Sequence, residues 1–187
     1  VSRETDYTVT PAPDGTAQVQ LTLTYRHQGQ LTDVPCEHVA LYGDSYEDMA
    51  QRCYFAYVRV YTPAGTRLLA AEGFEPDSVT AFAGERRTTV LAGALVLPAC
   101  AERSVSLTYE LQPGTLASAT YHLRMQKQPG TPTWPVRVTV RNGVGIWQPV
   151  TPAGQTTADG AVFQFDLRTD IDIVATQLLD QPEQSEP

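Results

Sequence analysis

The stretch Cys53-Tyr-Phe-Ala-Tyr-Val-Arg-Val-Tyr-Thr-Pro-Ala-Gly-Thr-Arg-Leu-Leu69 decides which fold the sequence predicts. From Cys53 to Tyr61 most residues are aromatic or β-branched, which favours a strand buried on both faces. Pro63 fixes its own φ and Gly65 tolerates a positive φ, so the pair predicts a turn. A short strand from Arg67 to Ala71 would then complete a central hairpin.

The rest of the chain alternates between polar and apolar residues, as strands with one wet face do. Ala17 to Arg26 and Ser104 to Leu111 show this period most clearly. Asn142-Gly143 and Asp159-Gly160 are typical of tight hairpin turns. About ten short strands with hardly any helix predict an all-β fold, a two-sheet antiparallel β-sandwich of immunoglobulin-like or jelly-roll-like type.

One long connection, from Gln28 to Arg52, interrupts this pattern. Asp44 or Ser45 is a suitable N-cap for a short helix inside it, and Glu47 and Asp48 would face the positive end of the helix dipole. Long irregular connections in compact domains are more often functional than not. We therefore expect specific contacts here.

Length and charge narrow the class of protein. The 187 residues suit one domain, expected over residues 1–178, with a flexible C-terminal tail at 179–187. The net charge of −8 argues against binding to nucleic acid or to an anionic membrane surface. No apolar run is long enough for direct membrane insertion. Because the chain starts at Val1 rather than at Met, we expect a piece of a longer protein.

No pattern in the sequence indicates catalysis, a cofactor or a metal site. The three histidines are far apart, and no nucleophile motif accompanies them. The aspartates near the C-terminus could bind calcium, but the sequence around them lacks the length and the glycine of a calcium-binding loop. Alternation of polar and apolar residues along an exposed strand explains their spacing better. The residues concerned are His27, His38, His122, Asp159, Asp166, Asp170 and Asp172.

The candidate contact residues surround the one lysine of the chain, Lys127. It could bind a carboxylate or a sugar beside Trp134. Alternatively, Gln126 and Gln128 hydrogen-bond the following Pro-Gly turn while the lysine stem covers apolar surface. Aromatic faces stack on sugar rings, but most aromatic residues also stand at positions that a sandwich core needs. The aromatic candidates are Trp134, Trp147, Tyr54 and Tyr57.

Three cysteines cannot all pair within one chain. A disulfide between Cys36 and Cys53 would attach the long connection to the central strand and would stabilise the fold by about 3 kcal/mol through loop entropy. The alternative is three unpaired thiols. Cys100 follows Pro98 at a turn. The absence of a Cys-x-x-Cys or His-x-x-x-His spacing disfavours zinc.

Several motifs resemble the C-terminal region of the bacterial family known as domain of unknown function 4012. The motifs are Cys53 to Leu69, Leu97-Pro98 with Leu107-Thr-Tyr-Glu-Leu111, Arg124-Met-Gln-Lys-Gln-Pro-Gly-Thr131, and Leu21-Thr-Leu-Thr-Tyr-Arg-His27. The resemblance implies a surface-exposed bacterial envelope protein, tethered by an upstream transmembrane segment and carrying a larger domain. It favours the Cys36–Cys53 disulfide and brings no known activity. Cys100 departs from the family pattern, which has a glycine there.

Three functional hypotheses follow. The first is a non-catalytic extracytoplasmic module that packs against the N-terminal remainder of its own polypeptide or against another envelope protein; it predicts an exposed apolar patch. The second is a cell-surface carbohydrate-binding module, which predicts at least two exposed coplanar aromatic residues in a groove. The third is a hydrolase, which predicts a deep pocket with a histidine or paired carboxylates.

Overall fold

The computed structural model describes residues 1–30, 35–37, 45–115, 119–143 and 145–178, so the expected tail at 179–187 lies outside the described residues. The described part forms thirteen strands, one short α-helix (α1, Tyr46–Gln51) and one 3-10 turn, Glu85–Arg87. The strands are β1 Ser2–Pro11, β2 Ala17–Arg26, β3 Tyr54–Pro63, β4 Arg67–Glu72, β5 Thr80–Ala83, β6 Thr88–Leu97, β7 Glu102–Leu111, β8 Thr120–Met125, β9 Trp134–Arg141, β10 Ile146–Thr151, β11 Gln155–Thr157, β12 Gly160–Leu167 and β13 Ile171–Leu178. No helix in these ranges has the length and apolar content needed to cross a bilayer.

The strands form a sandwich of unequal layers. One layer is a seven-stranded sheet in the order β11-β12-β9-β1-β2-β7-β4. The other layer is divided into two three-stranded sheets, β10-β13-β8 and β3-β6-β5. Neighbouring strands run antiparallel except β1 and β9, which are parallel. The predicted all-β sandwich is confirmed, with a second layer that is split.

The core lies between the layers and follows the predicted period of two. Val19 and Leu21 of β2 and the alternating valines of β9 point into it and are buried. The larger apolar cluster joins the seven-stranded sheet to Trp147 and Ile173 of the β10-β13-β8 sheet. A second cluster joins that same large sheet to the β3-β6-β5 sheet through Tyr25, Val58, Leu95, Leu97 and Val105.

The predicted hairpin of residues 53–71 is wrong in its pairing. A turn does form at Pro63, where the Thr66 hydroxyl donates to the Pro63 carbonyl at 2.7 Å. Beyond it the chain changes layer, because β3 pairs with β6 and β4 pairs with β7. The Pro-x-Gly signal specifies the local bend and carries no information about which sheet receives the next strand.

The hairpin predicted at Asn142-Gly143 is also wrong, since β9 pairs with β12 and β10 pairs with β13. Asn142 instead supports the crossing between layers: its Oδ1 accepts from the Trp147 N–H at 2.9 Å and its Nδ2 donates to the Ala158 carbonyl at 3.1 Å. Gly143 passes so close to the Pro11 carbonyl that a Cβ would lie 2.2 Å from that oxygen. The hairpin predicted at Asp159-Gly160 does form, between β11 and β12.

The strand predicted to be buried on both faces is an edge strand. In the described part of the chain β3 has β6 as its single neighbour, and Val58 is its one buried apolar residue. Tyr57 and Tyr61 are 52% and 63% exposed. An unbroken run of aromatic and β-branched residues suits such a position as well as an interior one, because a tyrosine hydroxyl can stay in water.

The short helix begins as predicted at Ser45. The Ser45 Oγ accepts from the Asp48 N–H at 3.1 Å, and the Asp48 side chain accepts from the Ser45 hydroxyl at 2.7 Å. The first of these bonds satisfies a backbone N–H that a helix N-terminus otherwise leaves without a partner. The alternative cap, Asp44, lies outside the described residues.

Three tyrosines place hydroxyl groups inside the core. Tyr7 on β1 and Tyr121 on β8 share a hydrogen bond of 2.7 Å across the layers. Tyr109 on β7 lies beside them and is equally buried. Burial, reinforced by the neighbouring tyrosine, raises the pKa of Tyr7 and of Tyr109 well above the usual value. Burial likewise raises the pKa of Tyr121.

This cluster predicts a loss of stability in alkali. Folded-state pKa values above the unfolded value mean that the folded protein holds these protons more tightly, so stability falls as the pH rises past about 10. The free energy of unfolding, measured with urea, should fall between about pH 8 and about pH 11. This fall should be larger for the wild type than for a Tyr7→Phe/Tyr121→Phe double variant. Tyr121→Phe alone should cost about 1–2 kcal/mol near neutral pH, because Tyr7 loses its partner.

The control is Tyr57→Phe, whose hydroxyl is exposed. It should leave both the neutral stability and the alkaline loss unchanged. An alkaline loss of equal size in the wild type and the double variant would contradict the assignment to Tyr7 and Tyr121.

Candidate binding cleft

A cleft opens where the second layer is split, between β3 on one side and β8 on the other. We call it the β3–β8 cleft. Its volume is about 560 Å³, within the range of ligand-binding pockets. Its floor is the inner face of β1, β2 and β9. The described lining residues outside β3 are Arg3, Thr5, Tyr7, Leu21, Leu23, Tyr25, Tyr109, Leu123, Arg124, Met125, Gln126, Gln128, Trp134, Val136 and Leu167.

The floor of the cleft is apolar core that the second layer does not fully cover. Leu23, Leu123 and Met125 pack against the buried cluster yet stay half-exposed. On β2, Leu21 is buried while Leu23, two residues along the same face, is not. The cover over the core is therefore thinner at the cleft than on either side of it.

The β3 wall supplies aromatic side chains, and every residue from Tyr54 to Tyr61 contributes to it. Tyr54 is 37% exposed and lies against Tyr25, with ring centroids 6.4 Å apart. Burial raises the pKa of Tyr25, and the neighbouring Arg3 opposes that shift. Tyr57 and Tyr61 share the outer face of β3. The aromatic candidates Tyr54 and Tyr57 thus lie together at this wall, whereas Trp147 is buried in the core.

The charged side chains in the described lining are all cationic. Arg59 lies over the Tyr57 ring, 5.2 Å from its centroid, and Arg3 lies 3.9 Å from the centroid of Trp134. Arg124 reaches Asp170 at 3.5 Å and Asp172 at 3.8 Å on the outer side of β8. The described lining contains no aspartate, glutamate or histidine, although the chain carries a net charge of −8.

Trp134 and Lys127 do meet, but neither offers an open face to a sugar. Trp134 is only 8% exposed, and its Nε1 donates to the Thr5 hydroxyl at 3.2 Å. The Lys127 ammonium lies 4.9 Å from the Trp134 ring. This ammonium also donates to the Gln128 carbonyl and to the carbonyl and hydroxyl of Thr131, at 2.5 to 3.1 Å.

The expectation that Gln126 and Gln128 close the Pro-Gly turn with their side chains is therefore wrong. Lys127 closes it, since its ammonium offers three donors that an amide cannot match. Gln126 and Gln128 are exposed and line the rim of the cleft instead.

A smaller pocket of about 420 Å³ continues the cleft past the start of β3. It shares Arg3, Tyr25, Tyr54 and Trp134 with the cleft, and Tyr46 and Met49 of α1 cover it. The Cys36–Cys53 disulfide is present, with the Cα atoms 5.4 Å apart. It fixes the long connection to the residue that precedes β3. Disulfides of this kind are typical of oxidising compartments.

The histidines and aspartates do not assemble a reactive group in the described ranges. The Gly29 N–H donates to Nδ1 of buried His27, so Nε2 carries the ring hydrogen and donates to the Arg52 carbonyl. His122 is exposed, as predicted, and pairs with Asp172 at 3.2 Å. Asp166 pairs with Arg168. No three described His, Cys, Asp or Glu side chains are placed to hold a metal ion, and His38 lies outside the described residues.

The sequence analysis missed four contributors to the cleft, namely Arg3, Arg59, Tyr61 and Arg124. Arg59 gave a usable signal, because a lone charge inside an aromatic run argues against burial on both faces. Arg3 and Arg124 gave none, since their strands come next to β3 only through the topology.

No protein-family model matches this chain, and no curated protein matches it. The resemblance to domain of unknown function 4012 therefore stays a prediction. Among solved structures, an M1 zinc metallopeptidase from Deinococcus radiodurans aligns at 13% identity and a TM-score of 0.37, over 94% of this chain and 41% of that one. Yeast LTA4 hydrolase in complex with bestatin aligns at 11% identity and a TM-score of 0.40, over 96% of this chain and 29% of the hydrolase chain.

A putative nutrient binding protein from Legionella pneumophila aligns at 9% identity and a TM-score of 0.38, over 94% of this chain and 66% of that one. This chain thus spans less than half of the Deinococcus peptidase. We draw nothing about function from similarities at this level.

The disulfide predicts the number of reactive thiols. Under denaturing, non-reducing conditions, a thiol reagent should label one cysteine, the exposed Cys100, and should label three after reduction. Mass spectrometry of peptides should place the single label on Cys100. A Cys100→Ser control should lose all labelling before reduction, and three labels on the unreduced wild type would contradict the bridge.

Proposed function

We propose that this chain is a non-catalytic, extracytoplasmic binding module of a membrane-anchored bacterial envelope protein. Its partner would be a polypeptide, either the remainder of its own chain or another envelope protein. The observation that carries the proposal is the open β3–β8 cleft, where exposed tyrosines and half-covered apolar residues stand together.

The chemistry of the cleft suits recognition better than proton transfer. Tyrosine and arginine are enriched at the energetic centres of protein interfaces, because each combines a large contact area with hydrogen-bonding groups. Phe82 extends the same exposed surface on β5, where it and Tyr61 flank Val90. This exposed surface supports the first hypothesis, which expects an apolar patch.

The compartment and the tether rest on different grounds. The Cys36–Cys53 disulfide supports an oxidising compartment. The tether rests on the resemblance described above. Both would be tested by locating the full-length gene product in fractionated cells.

Site-specific photo-cross-linking in producing cells tests the partner. A benzophenone amino acid at Tyr57 or Tyr61 should give a discrete cross-link to a polypeptide, found in the extracytoplasmic fraction. The matched controls are Ile146 and Val150, which are similarly exposed on the other small sheet and should give none. Equal cross-linking at all four positions, or none at any of them, would contradict the proposal.

Carbohydrate binding is the second candidate, because Tyr57 and Tyr61 expose two aromatic rings. Tyr57 and Tyr61 lie on one face of a strand about 13 Å apart, so a single sugar ring could not stack on both. The Trp134 ring is occupied by two cations. Saturable heat of binding to an oligosaccharide at millimolar concentration, lost in Tyr57→Ala, would favour this candidate over a polypeptide partner.

A further inference from the structure

We propose that the β3–β8 cleft receives an extended acidic segment of a partner polypeptide, which pairs with the edge of β3 from Ala56 to Tyr61, where no described strand lies, and completes the split layer. This inference rests on the proposed function, because it specifies how a polypeptide partner would bind. It adds the mode of binding, the conformation of the bound segment and the sign of its charge.

The first support is the strand count of the two layers. Seven strands in one layer face two groups of three in the other, and the gap falls over β1 and β2 near the middle of the large sheet. One more strand between β8 and β3 would give seven opposite seven. It would also cover the floor residues Leu23, Leu123 and Met125, which the present layers leave half-exposed.

The second support is the state of the sheet edges. Folded proteins protect their edges with short strands, bulges, prolines or charges, because an unprotected edge pairs with other chains. Among the described strands, β11 has three residues and β5 has four. β4 and β10 each have six residues and contain an irregularity, and β8 has six residues.

β3 is different from these edges. It runs for ten residues with an unbroken register against β6, and Pro63 comes only at its end. Residues of a paired strand alternate in the direction of their N–H and C=O groups, so every second residue from Ala56 to Tyr61 directs both groups into the cleft. An incoming extended backbone would find a ladder of donors and acceptors there.

The third support is charge. Arg3 contacts the Trp134 ring and hydrogen-bonds the Tyr25 side chain, and Arg59 contacts the Tyr57 ring. Neither contacts a described carboxylate, so both guanidinium groups keep donors for an incoming one. Arg124 adds a third cation, although Asp170 and Asp172 balance it in part. Against a chain of net charge −8, this cationic cleft favours an acidic segment.

The same charges argue against a second copy of this chain as the occupant. Pairing of two copies through the middle of β3 would bring two Arg59 side chains together, and like charges facing each other destabilise a strand pair. Each copy would also bring a net charge of −8.

The test uses a synthetic peptide of about eight residues that alternates glutamate and valine, a length within the usual range for strands. Valines would face the floor, where Arg3 also lies, and glutamates would face Arg59 and Arg124 on the outer side, as the period of two requires. Two control peptides separate the contributions. One carries lysine in place of glutamate, and the other is N-methylated at every residue so that neither backbone edge can donate hydrogen bonds.

We expect saturable binding of the glutamate peptide by fluorescence anisotropy, with amide shift changes concentrated in Ala56 to Tyr61. Arg59→Glu should weaken it at least about tenfold, since a favourable charge contact becomes a repulsive one. Arg141→Glu makes the same change of charge outside the cleft and should have no effect. Both control peptides should fail to bind, and circular dichroism should show that both protein variants stay folded.

Equal binding of the N-methylated peptide would overturn strand pairing, and equal binding of the lysine peptide would overturn the charge preference. Shift changes away from β3, concentration-dependent self-association through β3, or binding of a neutral oligosaccharide in place of the peptide would each overturn the inference. If no peptide binds while Tyr57 and Tyr61 still cross-link to a polypeptide, the proposed function stands and the strand-pairing mode fails. If no peptide binds and neither tyrosine position cross-links to a polypeptide, both the strand-pairing mode and the proposed function fail.

Discussion

The break in the second layer beside β3, where no described strand pairs with Ala56 to Tyr61 on that side, is the constraint on which the rest of the molecule depends. A sandwich of two complete sheets buries its core on both sides, whereas here the second layer stops at β8 and begins again at β3. The apolar residues beneath that break are held in place by the buried clusters on either side of it. The protein therefore keeps a partly apolar opening in an otherwise well-packed fold, which suits recognition of a ligand or partner.

Several features hold this opening in shape. Lys127 ties the turn after β8 to the Trp134 ring, and Trp134 is anchored to Thr5 of the floor. On the other side, the Cys36–Cys53 disulfide and the bonds of His27 to Gly29 and Arg52 fix the chain just before β3. Both walls of the cleft are thus attached to the seven-stranded sheet or to the chain that leads into them. Residues that looked like ligand contacts in the sequence, Lys127 and Trp134 above all, have mainly this supporting role.

The sequence predicted the fold class and most strands, because the alternation in β2, β7 and β9 reports one buried face directly. It predicted the Ser45 cap and the hairpin before Gly160, since both are decided by neighbouring residues. It failed where the answer depended on distant strands. The composition of residues 53–61 suits an interior strand and an aromatic edge strand equally. Asn142-Gly143 specifies a bend in the chain but not which strands pair beside it. The cleft joins Arg3, Arg59 and Arg124 through topology alone, so no local pattern could have predicted it.

Amide hydrogen exchange along β3 tests the account most directly. If β6 is the one neighbour of this strand, residues paired with β6 should exchange slowly while alternate residues between Ala56 and Tyr61 exchange quickly, giving a period of two. Uniform slow exchange over these residues, as strong as in β2 or β9, would show that the edge is already covered and would contradict an open cleft.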